Sequence, residues 1–232
     1  MINKRIKKLR NEFNKLKIDG YVIPKNDEFF SEYASKDRLK IVSGFSGSAG
    51  LAIILKKKNY LFVDGRYTLQ AEIESGKLFN IVKYENIFNC KLFKNLTLGI
   101  DPKLFTSEQL ILYFKKFNKI KEIKSNLIDK IYTKYSLKSK PFFSLHKNIV
   151  GENHSIKIKK ISYFLKKNKA KYLFVSAPEN VAWSLNIRGF DSPNSPIPNC
   201  RLLIDDKKKI YLISELRRTK KLIKEKKIEK NQ

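Results

Sequence analysis

The feature that most limits how this chain can fold is that it starts over. Ile6-Lys7-Lys8-Leu9, Phe13 and the run Tyr21 to Pro24 are echoed by Ile158-Lys159-Lys160-Ile161, Phe164 and Tyr172 to Val175. Lys56-Lys57-Lys58-Asn59-Tyr60-Leu61-Phe62 is echoed by Lys207-Lys208-Lys209-Ile210-Tyr211-Leu212-Ile213. The two matches share one shift, since 172 − 21 and 207 − 56 both equal 151. Two separated elements in one register argue for a duplicated unit. Lysine runs are common here, so the tyrosine-led strand carries more of that argument. With 232 residues, the second copy reaches only the counterpart of residue 81 (232 − 151), just past the hairpin and the helix after it. The expectation is one complete and one truncated copy, the latter leaving a sheet edge and part of an apolar face open to a partner.

Patterning inside the first copy predicts an α/β layered domain. Ile2, Ile6, Leu9, Phe13 and Leu16 recur at helical spacing and form one face of an opening helix that ends at Asp19-Gly20. Tyr21 to Ile23 reads as a short buried strand stopped by Pro24, and Lys25 to Arg38 as loop or irregular helix rich in polar side chains. Leu51 to Leu55 and Tyr60 to Val63 flank a turn as a hairpin, with a helix expected over Tyr67 to Glu74. Phe79 to Tyr84 and Thr97 to Ile100 are further strands, and Thr106 with Gln109 makes a capping box ahead of a helix over Leu110 to Phe117. The expected domains are 1–135, a connector at 136–154, a partial second domain at 155–214 and a basic tail at 215–232.

Composition supplies a core and removes several functions. The chain is 42% apolar and 12% aromatic, enough to bury a hydrophobic interior. Its net charge of +28 raises nucleic acid or an anionic surface, yet only 8 of the 50 basic residues are Arg and the Lys are scattered, which argues against a shaped phosphate-binding face. No apolar run approaches the roughly 20 residues of a membrane span, and the charged start has no signal-peptide pattern, so the cytoplasm is expected. Cys90 and Cys200 read as reduced thiols. The turn Ser43 to Gly50 leads into Leu51-Ala52-Ile53-Ile54 and not into a helix, so backbone packing is expected there rather than phosphate binding. His146 and His154, the only histidines, both lie in the connector, which leaves no base for a serine nucleophile. Asp64-Gly65-Arg66-Tyr67 allows two readings, an ion pair closing a turn or Arg66 forking a substrate carboxylate. Trp183 is expected in the core, and Asn186 to Pro196 as a rigid loop at a rim or interface.

Taken together these motifs resemble a family. Ser31-Glu32-Tyr33, Ser43-Gly44-Phe45 with Gly47-Ser48-Ala49-Gly50, Asp64-Gly65-Arg66-Tyr67, Gly99-Ile100-Asp101-Pro102, and Ala182-Trp183 through Asn186-Ile187-Arg188-Gly189 with Asp191 and Pro196 look like the three-domain Xaa-Pro aminopeptidases. The resemblance runs from about residue 1 to residue 214 and implies a creatinase N-terminal-like mixed sheet with flanking helices. In that family, two such domains precede a pita-bread metallopeptidase domain that removes a residue preceding proline. Its two divalent ions, commonly manganese, are held there by two Asp, one His and two Glu. This chain is expected to lack that domain, to hold no metal and to be inactive alone. The resemblance assigns accessory positions along the substrate cleft to Glu32, Asp64, Arg66, Arg188 and Asp191. The partners it implies are a peptide with proline second, a catalytic portion and further copies in an oligomer. The rival expectation is a non-enzymatic interaction module or a basic binder of anionic polymers.

Overall fold

The computed structural model describes residues 1–89, 92–133 and 140–225. Contacts divide the chain into two compact units, Met1–Ser136 and Leu137–Gln232.

In the first unit α1 (Ile2–Leu16) leads into β1 (Gly20–Pro24), a stretch of turns, and α2 (Arg38–Ser43). The hairpin β2 (Gly50–Leu55) and β3 (Asn59–Val63) follows, then α3 (Thr68–Ser75), β4 (Asn80–Lys83) and β5 (Thr97–Ile100). The unit closes with α4 (Ser107–Leu110), β6 (Lys119–Glu122) and α5 (Leu127–Ile131). The six strands form one mixed sheet in the order β4-β3-β2-β1-β5-β6, antiparallel within β1-β2-β3 and parallel at both flanks. Both faces are covered, which is why β1, β2 and β3 are apolar almost throughout. Ala52, Ile54, Leu61 and Val63 point to the face packed by Ile6, Leu9 and Phe13 of α1 and Leu39 and Val42 of α2. Leu51, Ile53, Tyr60 and Phe62 point to the opposite face with Phe93, Leu110 and Phe114.

The capping box forms as expected: the Gln109 N–H donates to the Thr106 side chain at 3.2 Å, and the Thr106 N–H to the Gln109 side chain at 3.0 Å. The helix it starts is shorter than expected, because α4 gives way to one π turn over Ile111–Lys115. The turn before β2 is packed backbone: a Cβ on Gly47 would come within 2.3 Å of the Phe45 ring, and Gly44 has φ +90°. Its hydroxyls are taken, Ser46 by Glu74 and Ser48 by the Tyr67 phenol.

The second unit contains β7 (Phe143–Ser144), α6 (His154–Lys167), β8 (Tyr172–Val175), α7 (Pro178–Leu185) and β9 (Ile187–Arg188). After a long loop come β10 (Arg201–Asp205), β11 (Ile210–Ile213) and α8 (Leu216–Lys224). The sheet order is β11-β10-β8, with β7 pairing β9 separately. Phe142 and β7 fall within the stretch expected as a connector, and Thr219 and Leu222 of α8 are buried although that segment was expected as a tail. The expected boundary at 135–136, Cys90 and the last residues, 226–232, lie outside the described residues.

The duplication is visible strand by strand. Subtracting 151 from Tyr172↔Asp205 gives Tyr21↔Ile54, the pairing found between β1 and β2. The hairpins differ by one residue, since Ile54 faces Asn59 whereas Ile204 faces Ile210. The first closes through Leu55 N–H to Lys58 O, leaving a two-residue loop. The second closes through Asp205 N–H to Lys209 O, leaving three residues with Lys208 at φ 72°.

Candidate functional site

The polar stretch after β1 is not free loop. Lys25, buried, donates to Asp37 at 2.6 Å, and Asn26 Nδ2 reaches the Leu104 carbonyl at 3.0 Å. Asp27, also buried, accepts from the Phe29 and Ser31 amides and forms a local turn, with Phe30 at φ 58°. Arg38 fastens the far end: its guanidinium donates to both oxygens of Asp129 and to Glu28. Burial opposes the Arg38 charge, but the hydrogen bonds to Asp129 and Glu28 outweigh it and raise its pKa. Reading the sequence missed this clamp, because Arg38 and Asp129 are 91 residues apart.

So anchored, the stretch forms one wall of a cleft of about 390 Å³ lined by Phe30, Ser31, Glu32, Ser48, Asp64 and Tyr84, among others. Glu32 and Asp64, two of the five positions implied by the resemblance, therefore meet at one cleft. Asp64 ends β3 and accepts from the Arg66 amide at 3.0 Å, starting a short turn of helix. Arg66 does not line the cleft. Its Nε lies 2.9 Å from Asp64 in an exposed ion pair, and its fork is closed on that carboxylate. Hydrogen bonds from Arg66 hold the Asp64 pKa below the usual range. Of the two readings of this motif, the structure displays the turn-closing ion pair.

Arg188 and Asp191 belong to the second unit. Arg188 borders a cleft of about 350 Å³ with Leu145, Glu152, Lys157, Trp183 and Asn186. Its Nη1 donates to the Ala182 and Ile187 carbonyls at 3.1 and 2.8 Å. Asp191 is not among the residues bordering that cleft; its carboxylate accepts from the Arg218 guanidinium and from the Asn199 amide and so ties the Pro-bounded loop to α8. Trp183 departs from its expected place in the core and is 58% exposed. The buried apolar stripe of α7 is Pro178, Val181, Ala182 and Leu185 at spacings of three and four, and position 183 falls off that stripe.

Among the described residues no three His, Cys, Asp or Glu side chains gather as a metal-holding group. The donor set for the two ions that the resemblance implies is thus not found among them. No helix among the described residues is long and apolar enough to cross a membrane.

Comparison with known proteins agrees with the duplicated architecture. The creatinase/prolidase N-terminal domain is matched twice, over residues 5–131 and again over 133–232. A probable Xaa-Pro aminopeptidase P from Laccaria bicolor is 34% identical over 209 residues, covering 83% of this chain and 33% of that protein. Xaa-Pro aminopeptidase 1 of Dictyostelium discoideum is 31% identical over 237 residues, covering 92% and 38%. Among solved structures, the X-prolyl aminopeptidase of Caenorhabditis elegans, described as a cytosolic enzyme with a di-nuclear active site, superposes with a TM-score of 0.82 at 26% identity. That likeness covers 93% of this chain and 39% of the worm enzyme. The chain spans about a third of the length of the curated relatives it matches.

Proposed function

The chain belongs to the creatinase/prolidase N-terminal domain family, and on that premise we propose that it is the N-terminal, non-catalytic portion of a proline-specific metalloaminopeptidase working in the cytoplasm. The observation that carries this reading is the tandem match, two consecutive domains of this family, together with alignment along 83% and 92% of the chain to relatives named Xaa-Pro aminopeptidase. On this reading bond breaking belongs to a metal-holding catalytic portion, and the residues here shape the wall of the peptide-binding cleft and supply oligomer contacts.

Individual roles follow from each residue's surroundings. Glu32 and Asp64 share a cleft and present carboxylates to it, which suits a cationic group such as a peptide's amino terminus. Arg66 acts on Asp64, holding it ionised and fixed in direction. Arg188 faces its own cleft directly, while Asp191 positions the loop behind it through Arg218. These groups orient a bound peptide and exclude water, which lowers the entropic part of a barrier without touching the scissile bond.

The test is a mixing assay. The purified 232-residue chain, given manganese and a peptide with proline at its second position, should release no amino-terminal residue. Adding a separately purified catalytic portion of the same lineage should restore release. Cleavage by this chain alone that survives successive purification steps would overturn the reading.

A further inference from the structure

The second-unit cleft holds a buried cation with no carboxylate on it. Lys157 is 5% exposed, and its ammonium donates to the Trp183 carbonyl and to Asn186 Oδ1, both at 2.7 Å. It also lies 4.0 Å from the centre of the Trp183 ring. Two neutral oxygens take two of its three donors and a ring face lies beside it, but no carboxylate among the described residues is within ion-pair distance. A buried ammonium ordinarily has an anionic partner, because neutral acceptors only partly offset the loss of its hydration. Burial accordingly lowers the Lys157 pKa, with Glu152 acting to raise it and the nearby Arg188 to lower it further.

The second cation of the cleft is incompletely used as well. Arg188 spends both hydrogens of Nη1 on backbone carbonyls. No acceptor among the described residues takes its Nε or Nη2, the edge of the guanidinium that binds a carboxylate through two parallel hydrogen bonds. Glu152, the cleft's single carboxylate, is engaged by Lys160 outside it. The remaining walls are apolar or aromatic: Leu145, Ile149, Val150 and the exposed Trp183 ring.

From two cations that no carboxylate among the described residues ion-pairs, set in an open cleft beside an exposed indole, we infer that this cleft is a binding site for an organic carboxylate carried on a flat apolar body. The carboxylate lies on the free Arg188 edge and near the Lys157 ammonium, and the apolar body covers Trp183. Either a free aromatic acid or the carboxyl end of a peptide presents this chemistry. Binding is a property of the second unit and does not rest on the peptidase reading.

Trp183 is the only tryptophan in the chain, so tryptophan emission, excited at the red edge where the 11 tyrosines do not absorb, reports on this cleft alone. The full chain is titrated with 3-phenylpropionate and with its primary amide, and in parallel with N-acetyl-Gly-Phe and its C-terminal amide. Both acids should give saturable changes at millimolar concentration, and each amide should bind about tenfold more weakly, the value of one charge-assisted contact. The tighter of the two acids identifies the source. Arg188→Gln should weaken acid binding by about tenfold and leave amide binding unchanged, since only the acid uses the fork. Far-ultraviolet circular dichroism confirms that each variant is folded, and Arg188, partly exposed, is the variant of choice over the buried Lys157. Equal binding of acid and amide, the absence of any saturable change, or an Arg188→Gln variant that binds acid as the parent does would each overturn the assignment.

Discussion

The Arg38 side chain is 1% exposed and joins two carboxylates, Glu28 and Asp129, that are each about one-third exposed. Replacing all three charged groups by apolar ones would change stability little, but removing the cation alone leaves two partly buried carboxylates facing each other. Arg38→Met should therefore destabilise the chain by about 2 kcal/mol in urea unfolding at neutral pH, less than for fully buried charges because both carboxylates are about one-third exposed. The pH dependence has a definite sign. Burial raises the Glu28 pKa, but the hydrogen bond and charge of Arg38 outweigh it and leave the group below its ordinary 4.5. A depressed carboxylate stabilises the fold above that ordinary value, and the contribution is lost as pH falls through the folded-state value. The gap between parent and Arg38→Met should narrow below about pH 4.5. A gap that stays constant down to about pH 3 would place the loss in packing and not in the ion network. Arg66→Met is the contrast: its pair with Asp64 stands in solvent, so the unfolding midpoint should not move.

Among the elements, those with a strong period were legible and those held by distant partners were not. The opening helix, the β2-β3 hairpin and the 151-residue shift all rest on local pattern, and all are present. Helix α2 escaped notice because six residues between a polar stretch and a glycine-rich turn show too little period, and β6 because Lys-Ile-Lys-Glu at a sheet edge reads as surface. The site divides the same way. That Asp64 ends a strand at a polar turn could be read directly, whereas its meeting with Glu32 in one cleft depends on the Arg38 clamp and a 91-residue separation. The two hairpins offer a sharper test of how far the repeat goes. Lys208 and its counterpart Lys57 (208 − 151) carry the same side chain, but only Lys208 sits in the left-handed region. That conformation strains a residue with a Cβ. Lys208→Gly should raise stability by about 0.5–1 kcal/mol, and Lys57→Gly should lower it through added freedom of the unfolded chain. Both are readable in thermal unfolding. Equal shifts of the same sign would mean that the two turns share one geometry after all.

For the whole molecule the question is what a net charge of +28 does when no phosphate-shaped face accompanies it. Arginine side chains already donate within the protein: Arg5 to Ile41, Arg10 to Leu55 and Asn59, Arg38 to Glu28 and Asp129, Arg66 to Asp64, Arg188 to backbone, Arg217 to Glu215 and Arg218 to Asp191. Most of the guanidinium groups that could read base edges are therefore engaged, the free edge of Arg188 excepted, and the surplus charge is lysine spread over both units. Such a surface attracts any polyanion through counterion release and distinguishes none. Two duplexes of equal length and unrelated sequence should bind equally, at about 10⁻⁵ M near physiological salt. Both affinities should fall by an order of magnitude or more between about 50 and 200 mM salt, with parallel slopes in fluorescence anisotropy. The attraction should also be indifferent to the carboxylate cleft, so Arg188→Gln should leave it unchanged while weakening the aromatic acid. A duplex preferred by more than about tenfold, with the preference persisting at high salt, would require contacts to bases. It would return nucleic acid to the partners of this chain and displace the reading in which its lysines serve solvation alone.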